Sequence, residues 1–122
     1  MDNTNKVFLT GNLTKEPELK YTSSGTAVCK FDIAVNRSYK KGDEWIKEVA
    51  FVKITTWGKQ AEFCADYRKG CPVFIEGYLK QNSYTSKDGK TISYLEVAPK
   101  KINKLETFYK QDNNQQDNDL SF

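Results

Sequence analysis

Histidine is absent from this 122-residue chain, and with it the commonest general base and a common zinc ligand. Cysteine is scarce: Cys29, Cys64 and Cys71 are odd in number and show no C-x-x-C spacing, so a metal site is not expected. Cys29 falls on an apolar strand face and Cys64 in a helical stretch, which reads as buried thiols. No paired carboxylate constellation stands out. Asp43–Glu44 and the Glu16/Glu18 pair sit among turn residues and read as solvated surface. An enzyme is therefore not expected, nor a cofactor. No apolar run approaches the length that spans a bilayer, and the opening M-D-N-T-N-K has no signal-like stretch. The expected location is the cytoplasm, without membrane contact.

What is present suits one soluble domain: 38% hydrophobic and 29% charged residues in 122, enough for one core and too little for two. The net charge of +3 is unevenly placed. All 19 Lys and Arg lie within residues 1–110, whereas the last twelve hold Asp112, Asp117 and Asp119. A basic body with an acidic tip fits a polyanionic ligand and a separate task for the tail.

The most informative stretch is V-A-F-V-K-I-T-T-W-G, from Val49 to Gly58. Strand alternation puts Ala50, Val52, Ile54 and Thr56 on a core face. The other face carries Val49, Phe51, Lys53, Thr55 and Trp57. Two rings at either side of a cation suit a ligand with flat apolar faces on an anionic backbone, as in unpaired nucleic acid. The alternative is that Phe51 and Trp57 pack under a loop or against another subunit.

Along the chain, Lys6–Thr10 reads as a short strand ending at Gly11, and Leu19–Tyr21 as a second extended piece. Ala27, Cys29, Phe31, Ile33 and Val35 alternate on one face of a strand of about ten residues. Arg37–Lys47 reads as a projecting hairpin with a basic tip (Lys40, Lys41) that carries Tyr39 and Trp45. Lys59–Arg68 has helical period, with Lys69–Gly70 as its stop. Val73, Ile75, Gly77 and Leu79 form the inward face of the next strand, with Gly77 suited to a sharp bend. The D-G pair in Lys87–Lys90 turns the chain into a last strand from about Thr91 to Ala98. From Lys110 the run Q-D-N-N-Q-Q-D-N-D-L-S-F is polar and low in complexity, which predicts disorder. The expected fold is all-β: a five-stranded Greek-key OB barrel with one helix between strands 3 and 4. Residues 1–106 are the expected domain, and residues 107–122 a short linker and acidic tip. Fold alone does not give function.

In N-K-V-F-L-T-G-N-L (5–13), P-E-L-K-Y-T (17–22), G-T-A-V (25–28), W-G-K-Q-A-E from Trp57 and V-F-I-E-G-Y-L (73–79), the chain resembles the bacterial single-stranded DNA-binding protein (SSB) family over most of residues 5–104. The closing D-N-D-L-S-F resembles that family's acidic tip, with Ser121 in place of the usual Pro. The resemblance implies sequence-independent binding and protection of single-stranded DNA in replication, recombination and repair. It places stacking aromatics at Tyr39, Phe51, Trp57 and Tyr84 and a basic residue at Lys53. Arg37, Lys40 and Lys41 are candidate phosphate contacts, and Trp45 a candidate extra stacking group. It further implies a homotetramer, association with the nucleoid, and a tip (Asp117, Asp119, Leu120, Ser121, Phe122) that recruits replication and repair enzymes. Val52 stands where some relatives carry a polar interface residue. The short tail favours a phage, plasmid or secondary paralogue, since a short linker limits reach. The rival readings are an RNA-binding OB module and a protein-interaction adaptor with no nucleic-acid role.

Overall fold

The chain's alternating apolar residues build one sheet that closes on itself. The computed structural model describes residues 1–105. The tip residues Asp117, Asp119, Leu120, Ser121 and Phe122 lie outside them. The elements are β1 (Val7–Leu13), β2 (Glu18–Tyr21), β3 (Ala27–Lys41), β4 (Glu44–Trp57), α1 (Gly58–Cys64), β5 (Pro72–Thr85) and β6 (Thr91–Lys104). The sheet runs β1-β5-β6-β4-β3, and β1 closes the ring by pairing with β3 at Asn12↔Ala34 and Leu13↔Ile33. Neighbours are antiparallel except β4 and β6, which meet in parallel at Ile54↔Val97. This is the closed five-stranded barrel read from the sequence, with its helix after the third ring strand. The four exposed residues of β2 extend β3 outside the ring, from Glu18↔Lys30 to Tyr21↔Ala27.

The core is filled by the inward positions of the long strands: Leu13, Cys29, Phe31, Ile33, Ile54, Val73, Ile75, Val97 and Ile102. The helix closes one end of it with Ala61 and Cys64. Gly58 breaks strand into helix with φ of 63°, a region that side chains disfavour, and leaves Trp57 as the last residue of β4. The helix is shorter than Lys59–Arg68. After Cys64 the chain tightens, with the Tyr67 N–H donating to the Cys64 carbonyl at 3.0 Å. That turn buries Tyr67 against Phe31, ring centroids 6.4 Å apart. It also lets the Gly70 N–H donate to the Leu13 carbonyl at 2.8 Å. All three thiols are buried, as expected for Cys29 and Cys64. Burial pushes Cys64 up to about 12, so it stays protonated and unreactive at neutral pH.

Both long hairpins outrun the barrel. β3 and β4 pair without a break from Val28↔Trp57 to Lys41↔Glu44, turning at Gly42–Asp43. The strand and projecting hairpin read separately from the sequence are thus one continuous ribbon. Ala50, placed on the core face by alternation, is exposed because the ribbon has left the wall there. β5 and β6 pair from Val73↔Lys104 to Thr85↔Thr91, with a register shift at Glu76/Gly77. Leu79, read as inward, is 44% exposed. β1 begins opposite Gly77, at Val7, so β1 does not reach Leu79, which pairs only on its other edge, with Val97 of β6. The Asn5 side chain instead caps its backbone, with both hydrogen bonds at 2.9 Å.

Candidate nucleic-acid interface

Register sorts the hairpin residues by face. Opposed pairs share a side of a sheet, so Lys40–Trp45, Ala34–Phe51, Asp32–Lys53, Lys30–Thr55 and Val28–Trp57 all lie on the outer side of the β3–β4 ribbon. Phe51 is 67%, Trp57 45% and Trp45 66% exposed. Among the described residues neither Phe51 nor Trp57 is packed under a loop. Tyr39 and Arg37, opposite Ile46 and Glu48, lie on the reverse side, as does Lys41. The structure therefore groups Lys40, Trp45, Phe51, Lys53 and Trp57, and sets Arg37, Tyr39 and Lys41 behind them. Arg37 is also engaged locally. Its Nε donates to Glu48 Oε1 at 3.2 Å, and its guanidinium lies 4.6 Å from the Tyr39 ring centroid. Such an exposed pair is weak and exchangeable.

Beside Lys53 the two hairpins enclose a groove of about 330 Å³, lined among others by Lys30, Asp32, Tyr84, Tyr94 and Glu96. Tyr84 and Tyr94 stand on β5 and β6 with ring centroids 6.1 Å apart and planes 55° apart. The Lys53 ammonium lies 6.0 Å from the Tyr94 centroid, and that of Lys80 lies 5.6 Å from the Trp57 centroid. Each cation sits where a ring face attracts it. Inside the groove Lys53 stands with Tyr84 and Tyr94, and the Lys80–Trp57 pair lies outside its lining.

Glu96 forms the floor at 2% exposure. A buried carboxylate needs donors. The Thr55 hydroxyl donates to one oxygen at 2.8 Å and the Asn82 amide to the other at 3.4 Å. This explains why Thr55, on the outer side by alternation, is itself buried. The charge pattern has a chemical consequence. Asp32 and Glu96 disfavour phosphates inside the groove, which Lys30 also lines, whereas the ammonium groups of Lys53 and Lys80 stand beside the rings. A strand laid here would turn its bases inward and keep its phosphates at the rim.

Sequence reasoning missed Tyr94, Lys80 and Glu96 as members of this site. A signal existed: closing the hairpin at the D-G turn with Thr85↔Thr91 fixes Tyr84↔Ile92 and Asn82↔Tyr94, which puts all three on the face of Tyr84. Among the described residues there is no group of three or more His, Cys, Asp or Glu able to hold a metal ion. No helix among them is long and apolar enough to cross a membrane.

Known proteins resemble this chain in sequence and in fold. A family model described as "Single-strand binding protein family" matches residues 4–105. A "Single-stranded DNA-binding protein" of Treponema pallidum is 42% identical over 106 residues, 86% of this chain and 60% of that protein. The "Single-stranded DNA-binding protein 2" of Clostridium acetobutylicum is 44% identical over 104 residues, 84% of this chain and 77% of its own length. Among solved structures, a deletion mutant of the single-stranded DNA binding protein from Thermus aquaticus matches with a TM-score of 0.74 and 28% identity, over 84% of this chain and 51% of that one. The chain thus spans less than two thirds of the Treponema and Thermus proteins. The matched residues include every strand of the closed ring and the whole groove between the hairpins, and on that match the chain belongs to the single-strand binding protein family.

Proposed function

We propose that this chain binds single-stranded DNA without reading its sequence, and so covers exposed strands during replication, recombination and repair. The observation that carries the reading is the exposed rings Phe51 and Trp57 on the same side of the β3–β4 ribbon as Lys53, with Lys53 and Tyr84 lining the groove between the hairpins. Rings stack on any base, and lysines meet any phosphate. Lys40 and Trp45 extend the same side toward the ribbon tip. Tyr39, Arg37 and Lys41 serve a strand that passes over the ribbon's edge to its reverse. The protein acts by binding, without catalysis. An assembly of four copies would cover Phe8 and Tyr78, which share the outer side of the β1–β5 pair and are 60% and 39% exposed. The tip, Asp117 to Phe122, recruits replication and repair enzymes by offering carboxylates to a basic rim and Phe122 to an apolar pocket.

The test is a tryptophan-fluorescence titration of the full chain with dT and rU oligomers at two salt concentrations. The expected result is dT binding that weakens with salt by about 0.7 in log K per log salt for each phosphate met, with rU weaker. Equal or stronger rU binding would favour an RNA-binding module. Absence of salt-dependent binding to either would favour a protein adaptor. Removing Leu120–Phe122 should leave dT affinity intact or slightly raised while abolishing capture of partner enzymes. A strong loss of dT affinity would refute the tip's separate role.

A further inference from the structure

Phe63 is a large ring the core does not use. The apolar side of α1 presents Ala61 and Cys64 to the barrel, while Phe63 is 62% exposed. Tyr67 holds it edge-on from behind, centroids 6.0 Å apart. The ring stands between two shallow grooves. One, of about 630 Å³, brings Lys59, Lys100 and Lys101 beside it, and the other brings Lys104, with Asp66 on the same wall. The register shift at Glu76/Gly77 leaves Lys100 between the pairs Glu76↔Lys101 and Gly77↔Pro99, so Lys100 and Lys101 are displayed side by side. All four lysines are exposed, and among the described residues the ion pairs within 4.0 Å involve other cations.

An exposed ring among four free ammonium groups repeats the chemistry of Phe51, Lys53 and Trp57. It is also continuous with them. Trp57 is the residue before α1, Lys59 follows two residues later, and Phe63 lies one helical turn beyond Lys59 on the same side. We propose that Phe63 with Lys59, Lys100, Lys101 and Lys104 is a second single-strand contact, which carries the strand past Trp57 over the helix end of the barrel. One base stacks on Phe63 and the flanking phosphates meet the lysines. This inference rests on the groove being a single-strand site. The competing occupant of a basic, apolar patch is the chain's own acidic tip.

The experiment compares the full-length protein with Phe63→Ala and with a Lys100→Gln/Lys101→Gln/Lys104→Gln variant, on dT oligomers of about 8 and about 30 nucleotides, chosen to fill one groove or to run beyond it. Phe63→Ala should weaken the long oligomer about tenfold and leave the short one unchanged. The lysine variant should lower the salt slope for the long oligomer by about 2. Unchanged binding of both oligomers would take Phe63 off the path and leave the primary groove standing. Failure of the wild-type protein to bind the short oligomer would overturn both. Tighter binding of both oligomers, reproduced by removing residues 117–122, would assign the patch to the tip and overturn the proposal. A melting curve of each variant confirms that these exposed changes leave the barrel folded.

Discussion

Replacing Phe51 and Trp57 together by alanine should reduce affinity for a dT oligomer by roughly 30-fold to 10⁴-fold. The range follows from about 1–3 kcal/mol per stacked base, a figure known for single-strand-binding proteins as a class, with about 1.4 kcal/mol per factor of ten. The two rings stand six residues apart on one strand, with Lys53 between them. Neither contributes to the core, so the melting temperature should move little, and lost affinity reports the interface rather than the fold. The Lys80 contact on the Trp57 ring is exposed and contributes about 0.5–1 kcal/mol. Trp45 remains as a fluorophore in the double variant. Its quenching by DNA should persist at saturating oligomer, which shows whether the ribbon tip is engaged independently. Wild-type affinity in the double variant would mean that the strand runs elsewhere, and the family likeness would not rescue the site.

How far the sequence could reach depends on how local each determinant is. The alternations in Ala27–Val35 and Val49–Trp57 were legible because one barrel wall buries one side of each strand. So were the D-G turn and the opposed faces of Lys53 and Ile54. Alternation says which side a residue takes, but not whether a wall stands on that side. Ala50 and Leu79 are exposed because neighbouring strands have already ended or diverged. Thr55 is buried because Glu96, 41 residues away, needs its hydroxyl. Tyr39 shares parity with the inward residues Cys29 to Val35, so its place behind Phe51 is implicit in the alternation, whereas the resemblance groups it with Phe51 and Trp57. Tyr94 became visible once the β5–β6 register was fixed, because it gains its role from Tyr84 and Lys53 on other strands.

Gly77 ties that register to the interface. A Cβ on Gly77 would lie 2.3 Å from the Ala98 carbonyl oxygen and 2.8 Å from the Pro99 Cα. Both are backbone atoms of β6, held by pairing with β5 on one side and by the β4 contact at Val97 on the other. A flexible side chain could move away; this backbone cannot without opening the ladder. Overpacking ordinarily costs about 1–3 kcal/mol, and an obstacle made of backbone puts Gly77→Ala at about 3 kcal/mol or more. Against a total stability of about 5–15 kcal/mol for a domain, that corresponds to a fall in melting temperature of roughly 12 °C or more. Gly77→Val should leave little folded protein. The consequence for function follows from position. Gly77 sits where the β5–β6 hairpin leaves the barrel, and the outer part of that hairpin carries Tyr84, Tyr94 and Glu96. Shifting its base tilts those groups away from Lys53 on β4. The folded fraction of Gly77→Ala should therefore bind dT oligomers less tightly than wild type, even below its melting transition. A melting temperature within two or three degrees of wild type, with unchanged affinity, would show that β6 yields at Pro99 and that the hairpin's angle is set elsewhere.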